Sequence, residues 1–542
     1  MKHIVWIISL LLSAAALAQP VERIYVSTDR SVYIAGDEIW CSLFSVTPSG
    51  DLSSYSAVAY LELVSADGPA ARAKVSLMDG RGAGQFRIPA GTPTGPYRLV
   101  AYTAWNTNEE GTGYLSGARQ ISVYNTSSTA RVREGVKVVE QLPSGVEPFK
   151  GNGLVQFSMR GKQGTGESLT LQLKNTAASA SVSLSVYHRD ALPEPRNASL
   201  QDFLAGVKAE GEVRFTGNRP AEYEGEIIRA RLTGKVEMNA VSTLSSAGSP
   251  TDVYVGRMEE DGTVLFYTNN IYGNRELVCD AGSPEAVVTL EDPFISPEAG
   301  PMEPVLLSRE MFSPLVSRKG GLVGSRADTL VQFMPRRQDI LLEGNSHKRY
   351  HLDDYRRFPS LKEVLVEIIP ELRLKDSHGR KAIWMLKKDS NTKKQLLTDN
   401  IMVMLDGVVL GDLEPLINLD AMLLEDVDLY RDNFVLGGLA YNGLVNFVTK
   451  KNYVKAIEFP SRVRVVDFLG VSYPVAYFGD VPGCETDYRQ LLYWNPLLTL
   501  SSGEVVQVQL TAPAYTGNFL AVVEGLTEDG VPVYDTFAFE VR

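Results

Sequence analysis

Cysteine is scarce in this chain of 542 residues, which contains only Cys41, Cys279 and Cys484. The three lie far apart, and no pair has the CxxC spacing of a redox or metal motif. Because the count is odd, at least one thiol stays unpaired within the chain even in an oxidising compartment. We therefore predict three small, buried, apolar residues instead of a disulfide framework.

Long apolar runs are missing after the first residues. Lys2 and His3 precede the apolar run 4–12, and Ala16-Leu17-Ala18 fits a small-x-small cleavage site. The run is shorter than the roughly 20 residues that a membrane-spanning helix needs, which disfavours an anchor. No cysteine stands at the cleavage point to carry a lipid. The sequence therefore predicts an export signal over residues 1–18 and a mature chain that begins at Gln19.

An excess of positive charge is also missing, since the formal net charge is −12 at pH 7. Such a chain gains no electrostatic attraction to nucleic acid or to anionic lipid. The basic pairs Lys387-Lys388 and Lys393-Lys394 are local, and we interpret them as solvated loops. We therefore expect no nucleic-acid partner.

Common catalytic and metal motifs are absent: GxSxG, GxxxxGK[ST] and HExxH do not occur. His347 and His351 are four residues apart and could share a helical face with Asp353 or Asp354, but surface residues are the favoured interpretation. Carboxylates that meet across loops for glycoside cleavage stay open. We predict that the chain is not an enzyme, with no catalytic, cofactor-binding or metal residues and no cofactor.

The pattern that is present is mainly that of β-strands. Short alternating apolar runs, separated by Gly, Pro, Asp and Ser clusters, predict several β-sandwiches with one small α/β module. One amphipathic helix is predicted over 359–369, with Pro359 in its first turn and apolar residues at helical spacing. The predicted domains are a signal peptide (1–18), a first sandwich (19–124), a second sandwich (125–220), a further β domain (221–300), a linker and helix region (301–398), the α/β module (399–455) and a C-terminal sandwich (456–542).

Two strings near the N-terminus carry a family resemblance. ERIYVSTDRSVYIAGDEIW (Glu22 to Trp40) and GPYRLVAYTAW (Gly95 to Trp105) resemble a macroglobulin-type domain of exported bacterial α2-macroglobulin-like proteins. Gly36 and Gly95 suit turns that tolerate positive φ. The string Tyr493-Trp494-Asn495-Pro496 resembles a macroglobulin or immunoglobulin-like sandwich. The resemblance implies tandem β-sandwiches at both ends of the chain.

The thioester of the α2-macroglobulins is not expected here. Gly483-Cys484-Glu485-Thr486 is similar to that site, which needs a cysteine thiol and a glutamine side chain that close a ring. In this chain Thr486 follows Glu485, and no glutamine stands at the required place. We therefore expect no covalent trapping of proteases by this route.

The segment from Ile401 to Lys451 carries a second resemblance. Its pattern predicts strand, turn, helix, strand, turn and strand, and it resembles the plug domain of TonB-dependent outer-membrane receptors at Asp406-Gly407-Val408, at 418–420, at 426–431 and from Asn442 onward. A barrel of about 22 strands of about 10 residues needs roughly 220 residues. Only 92 residues follow Lys450. We therefore expect the plug-like module without the receptor barrel.

Aromatic residues are the remaining candidates for binding. Trp105, Trp384 and Trp494 could stack on sugars or anchor a partner, although a half-buried position is the default for each.

The sequence thus favours a noncatalytic binding or scaffold protein of the cell envelope, exported to the periplasm and associated with the outer membrane. Its expected partners are envelope proteins, among them an outer-membrane transporter on which the plug-like module would dock; that module could equally be only a stable structural domain. Two alternatives stay open. One is a protease- or host-interacting macroglobulin-like protein without thioester, and the other is a hydrolase of an envelope polymer.

Overall fold

The computed structural model describes residues 19–127, 132–142, 151–189, 192–237, 240–248, 252–269, 271–308, 330–332, 347–377, 380–388, 395–451, 457–472, 475–478, 487 and 489–542. Over these residues the chain is mainly β, as the alternating sequence pattern predicts. It divides into two compact units, which are treated separately below. Unit 1 comprises Met1–Tyr223, Phe294–Met334 and Val471–Arg542, and unit 2 comprises Glu224–Pro293 and Pro335–Gly470.

The first eighteen strands are β1 Arg23–Thr28, β2 Val32–Ile34, β3 Glu38–Val46, β4 Val58–Ser65, β5 Gly68–Met78, β6 Arg81–Arg87, β7 Gly95–Tyr102, β8 Arg119–Tyr124, β9 Val136–Val138, β10 Val155–Arg160, β11 Ser168–Asn175, β12 Ala180–His188, β13 Ile227–Lys235, β14 Val241–Ser246, β15 Asp252–Arg257, β16 Thr263–Tyr267, β17 Asn274–Asp280 and β18 Glu285–Leu290. The strands that follow are β19 Val305–Leu307, β20 Leu330–Gln332, β21 His347–His351, β22 Leu372–Ser377, β23 Arg380–Lys388, β24 Gln395–Thr398, β25 Met402–Leu405, β26 Val408–Val409, β27 Leu424–Tyr430, β28 Phe434–Leu436, β29 Leu439–Tyr441, β30 Leu444–Thr449, β31 Val463–Leu469, β32 Val475–Phe478, β33 Leu491–Leu500, β34 Val505–Thr511, β35 Gly517–Thr527 and β36 Pro532–Val541. The α-helices are α1 Leu200–Lys208, α2 Leu361–Glu367 and α3 Glu414–Ile417.

The first sandwich of unit 1 contains eight strands in the order β1-β3-β6-β5-β4-β7-β8-β2. Its core is built from the apolar members of these strands, such as Ile39, Leu61, Val75 and Leu99, all of which are fully buried. Gly36, predicted as a turn residue, has φ of +103°, a backbone conformation that favours glycine. Gly95 is not in the positive-φ region and instead opens β7. The positive-φ prediction therefore holds for Gly36 and fails for Gly95, while the expectation from the resemblance that Gly95-Pro96-Tyr97 begins a strand is confirmed.

The second sandwich of unit 1 is assembled from distant parts of the sequence. One sheet has the order β10-β11-β34, and the facing sheet has the order β20-β32-β33-β12-β35-β36. Leu171 on β11, Leu184 on β12 and Val523 on β35 belong to the core that these sheets enclose. The segments 125–220 and 456–542, for which the sequence predicts two sandwiches, thus contribute strands to one core. Periodicity locates strands but does not identify their partners, which explains the difference.

The N-terminal part of unit 2 is also a pair of β-sheets. The strands are ordered β16-β13-β18 in one sheet and β15-β14-β17-β31 in the other. Cys279 on β17 and Phe266 on β16 are buried in the core between them. Strand β31, which follows the α/β module in sequence, completes the second sheet by pairing antiparallel with β17.

The α/β module of unit 2 has a five-stranded mixed sheet in the order β21-β27-β30-β25-β26. Strand β25 runs parallel to β30, and β27 runs antiparallel to β30. Helices α2 and α3 and strands β22 and β23 cover the sheet and share its core, which includes Leu365, Leu416 and Phe447. The predicted order of strand, turn, helix, strand and strand is confirmed, with the hairpin β28–β29 added before β30. The module takes β21 and α2 from the segment 301–398, so the two segments form one core.

The predicted amphipathic helix is confirmed as α2, with a shift at its start. The helix begins at Leu361, and Ser360 is its N-cap, whose hydroxyl accepts a hydrogen bond from the backbone N–H of Glu363. The Glu363 carboxylate in turn accepts from the Ser360 backbone N–H, which completes a capping box. Pro359 therefore lies just outside the helix, where its missing N–H has no cost.

Candidate functional site

A cavity of about 420 Å³ lies within unit 1. One wall is the face of the six-stranded sheet that points away from the second sandwich's core, formed by β12, β33, β35 and β36. The opposite wall is formed by β1 with the turn that follows it and by Arg119 on β8. The segment 194–199, which leads into α1, closes one side. A cavity of this size is at the lower end of the range for small-molecule sites.

Strand alternation decides which side chains reach the cavity. On β12, Ser183, Ser185 and Tyr187 line it, while the intervening Val182, Leu184 and Val186 face the sandwich core. On β35, Leu520, Val522 and Glu524 line it, while Ala521 and Val523 face the core. The sequence pattern alone suggests that such polar alternate positions face solvent. For that reason the polar residues of the cavity could not be predicted from the sequence.

Glu524 is the buried carboxylate of the cavity, with 3% of its surface exposed. Tyr25 Oη donates to one carboxylate oxygen at 2.7 Å, and Ser27 Oγ donates to the other at 2.7 Å. Burial, with the adjacent carboxylate of Glu524, raises the pKa of Tyr25 well above its ordinary value, so the phenol remains a donor. Both carboxylate oxygens thus have hydrogen bonds, and both donors are neutral.

Asp29 is the second buried carboxylate, and its contacts are structural. Its Oδ1 accepts from Tyr33 Oη at 2.7 Å and from the Trp40 backbone N–H at 3.0 Å. Arg30 Nη1 lies 3.3 Å from its Oδ2, and Arg30 Nη2 lies 2.9 Å from a carboxylate oxygen of Asp37. Burial raises the pKa of Asp29 to about 6, against the opposing effects of Arg30 and these donors. The string around Asp29 that resembles a macroglobulin domain therefore builds a buried polar network.

Arg119 differs from the other cavity cations. Its Nε is buried and has no hydrogen-bond partner, and its guanidinium makes no ion pair within 4 Å among the described residues. Glu524 and Tyr25 are its main electrostatic neighbours. The indole Nε1 of Trp494, which also lines the cavity, is likewise buried without a partner. Donors without acceptors are costly when buried, because each has lost its water.

The cavity is lined by many hydrogen-bonding groups. None of its described lining residues is a histidine or a cysteine. Two of the lining serines are engaged: Ser27 donates to Glu524, and Ser185 Oγ donates to the Asp29 backbone oxygen at 2.8 Å. The geometry therefore offers no nucleophile held beside a base. It offers donors that a bound acceptor would satisfy.

The three tryptophans predicted as binding candidates lie in different places. Trp494 lines the cavity with only 1% of its surface exposed. Trp105 belongs to a surface aromatic cluster with Tyr55, Phe215 and Tyr223, in which neighbouring ring centroids are 5.0 to 5.4 Å apart. Trp384, in unit 2, has the Lys375 ammonium 4.4 Å from its ring centroid. The structure does not bring the three together into one site.

The histidine pair lies on a strand, so the helical face considered for it is wrong. His347 and His351 are the ends of β21. His351 Nδ1 lies 2.7 Å from Asp426 Oδ1, and this hydrogen bond raises the pKa of His351. No group of three or more potential ligands able to hold a metal ion occurs among the described residues. His351 is therefore an exposed residue that is hydrogen-bonded to Asp426, which agrees with the favoured interpretation of a surface histidine.

Two of the three cysteines are confirmed as buried free thiols. Cys41 and Cys279 are fully buried and unpaired. Burial raises the pKa of each thiol to about 12, which suppresses the reactive thiolate. Cys484 and the string around it lie outside the described residues.

The turns of the α/β module have the predicted geometry. Asp406 and Gly407 have φ of +49° and +82° and join β25 to β26 in a two-residue hairpin. The Asp406 carboxylate accepts from the Thr449 backbone N–H at 2.7 Å and from its hydroxyl at 2.6 Å. Gly443 has φ of +158°, and a Cβ there would lie 2.8 Å from the Tyr430 backbone oxygen. These residues fix the fold of the module and do not form a pocket.

A comparison with family models gave no match, and a comparison with characterised proteins gave none either. Among solved structures, the chain is similar to the α2-macroglobulin of Salmonella reacted with methylamine, with 10% identity, a TM-score of 0.23 and coverage of 96% of this chain and 39% of that one. It is also similar to trypsin-activated α2-macroglobulin of Escherichia coli, with 9% identity, a TM-score of 0.24 and coverage of 96% and 41%.

The native E. coli protein gives 10% identity, a TM-score of 0.24 and coverage of 96% and 39%. This chain therefore spans about two fifths of the length of the macroglobulins it matches. The assignment of a mainly β, multi-sandwich fold rests on the sheets described above. The plug-like interpretation of 399–455 stays a prediction.

Proposed function

We propose that this chain is a noncatalytic binding or scaffold protein of the cell envelope, exported through the signal over residues 1–18 and associated with the outer membrane. Tandem β-sandwiches that carry an α/β module suit such a role, and the cavity offers hydrogen-bond donors to a bound molecule. Among the described residues, no helix is both long and apolar enough to cross a membrane. The partners would be envelope proteins, including an outer-membrane transporter.

The observation that carries this proposal is the hairpin β28–β29 of the module. Its eight residues, Phe434 to Tyr441, contain no charged side chain. Val435 is 71% exposed, and Ala440, which pairs with it on the other strand of the hairpin, is also exposed. The rings of Phe434 and Tyr441 stack with their centroids 5.2 Å apart, which is a contact between the two strands of the hairpin. Exposed apolar side chains on an uncharged hairpin offer a contact site for another protein.

The decisive experiment charges the hairpin without touching the core. A Val435→Glu, Ala440→Glu variant should lose the envelope proteins that the wild type captures after crosslinking. Val366→Glu is the matched control, because Val366 is 64% exposed on α2 in the same unit. The control should keep the same partners, and circular dichroism should show all variants folded. If the charged hairpin captures the same partners as the wild type, the docking role is wrong.

Deleting the whole module is a poor test, because the sheet and core of 399–455 are shared with β21 and α2. The export part of the proposal has its own test. N-terminal sequencing of protein from envelope fractions should give Gln19 as the first residue. Intact Met1, or protein only in the cytosol, would contradict export.

The macroglobulin-like alternative predicts contact with proteases or host proteins without covalent trapping. Methylamine should leave the intact mass unchanged, since no glutamine completes a thioester with Cys484. A mass shift of the wild type that is absent from the Cys484→Ala variant would show that a thioester forms at Cys484. The hydrolase alternative requires turnover of an envelope polymer, which a broad hydrolase screen with purified protein would detect.

A further inference from the structure

The Arg119 guanidinium faces the cavity without a protein acceptor. Arg119 lies on the first sandwich, is half-buried and lines the cavity, yet it donates no hydrogen bond to any residue that the structure describes, and its Nε is buried without a partner. A partly buried guanidinium of this kind is usually paired and hydrogen-bonded.

The charged groups near Arg119 do not supply the acceptors that its guanidinium lacks. Glu524 balances part of the charge at a distance, but its oxygens are occupied by Tyr25 and Ser27. Arg30 is committed to Asp29 and Asp37. Among the described lining residues, the buried donors without a partner are Nε of Arg119, Nε of Arg30 and the indole N–H of Trp494, and of these two arginines only Arg119 has no ion pair.

We propose that the cavity binds a small monocarboxylate with an apolar or aromatic body, its carboxylate held by Arg119. A planar guanidinium matches a carboxylate with two parallel hydrogen bonds. Leu520, Val522 and the rings of Tyr187 and Trp494 supply the apolar wall. This site is in unit 1 and is independent of the hairpin in unit 2 that carries the proposed function.

The charge of the cavity selects a monoanion. The charged side chains that line the cavity are four arginines and three carboxylates, a formal excess of one positive charge that one negative charge balances, while the buried Glu524 carboxylate opposes a second one. A phosphate monoester, which carries nearly two charges at neutral pH, is therefore disfavoured. A carboxylate can come from a free small molecule or from the C-terminus of a peptide, and both present the same group to Arg119.

The test uses the full chain and a series of matched probes in isothermal titration calorimetry. N-acetylphenylalanine should bind, whereas its amide, which lacks the charge, and phenyl phosphate should bind at least about 10-fold more weakly. Phenylacetate serves as the free small acid, and N-acetyl-Ala-Phe serves as the peptide C-terminus. Tighter binding of one of these two identifies the source.

Arg119→Met should weaken the binding of N-acetylphenylalanine by about 10- to 100-fold, because it removes the charged donors and keeps a similar length. Arg87→Met is the matched control, since the Arg87 side chain in the same sandwich is 66% exposed and should leave binding unchanged. Arg119→Lys, which keeps the charge, replaces the methionine variant if the latter does not fold, and should retain part of the affinity.

Hydrogen exchange identifies the segment of the chain that the ligand contacts. Binding should slow exchange in the segment 194–199, which closes the cavity. Equal affinity for the amide, unchanged affinity of the Arg119 variants, protection confined to other segments, or no binding of any carboxylate probe at millimolar concentration would each overturn the proposal.

Discussion

The buried carboxylate of Asp29 should make unit 1 less stable as pH rises through mild acid. Its pKa is raised from 3.8 to about 6 in the folded chain, with burial as the main cause. Between these values the folded state holds a proton that the unfolded chain releases. The linkage relation then gives falling stability with rising pH, from about pH 4 to about pH 6, and no further change from this group above pH 6.

The magnitude follows from the pKa difference. About two pKa units, at about 1.4 kcal/mol per unit, amount to about 3 kcal/mol of unfolding free energy. Asp29→Asn removes the titration and keeps an oxygen that can accept from Tyr33 and Trp40. The free energy of unfolding of the wild type minus that of the variant should therefore drop by about 2.4 kcal/mol between pH 4 and pH 7, because the remainder of the change lies below pH 4.

Hydrogen exchange measured by mass spectrometry is the appropriate assay, because a chain of several domains need not unfold in one step. Slow amides of β1 and β3 report on Asp29, and wild type and variant are compared at each pH after correction for intrinsic exchange. Amides of β25 and β30 in unit 2 are the internal control and should not differ. The reasoning would be refuted if the free energy of unfolding of the wild type minus that of the variant stayed constant with pH or grew as pH rises.

Three further outcomes are expected. Gly443→Val should destabilise unit 2 by about 1–3 kcal/mol in urea unfolding, because its backbone φ favours glycine and a Cβ meets a backbone oxygen at 2.8 Å; an unchanged midpoint would contradict this. Ser360→Ala should cost about 1 kcal/mol by loss of the α2 cap, and Ser360→Asp should restore most of it. In a Cys484→Ser background, Cys41 and Cys279 should react with a thiol reagent only after denaturant is added; rapid reaction of the native protein would show that they are accessible.

Local structure could be predicted from the sequence where it depends on local spacing. The apolar stripe of α2, the Asp406-Gly407 turn and the strand Leu444–Thr449 are all present at the predicted places. Each depends on the periodicity of side chains or on backbone conformations that few residues adopt. These constraints act over a few residues, and a single sequence displays them.

Strand pairing and the cavity could not be predicted, because they depend on contacts between distant residues. Nothing in the alternation of β12 shows that Ser183 and Ser185 face the first sandwich instead of water. The significance of Arg119 likewise appears only when Tyr25 and Ser27 are seen to occupy Glu524. A signal for the site did exist, since a glutamate at an alternating position of an otherwise apolar strand, β35, is unusual.

The pairing of β11 with β34 has a consequence for synthesis. Asn175, at the end of β11, donates a hydrogen bond to the backbone oxygen of Leu500, which is 325 residues away. At about 5–20 residues per second, a ribosome needs roughly 15 to 65 s to cover that distance. During this interval β10, β11 and β12 have emerged without the strands that complete their sheets. Unpaired apolar strand edges invite pairing with other chains, so we expect chaperones to bind this half-sandwich while unit 2 folds ahead of it.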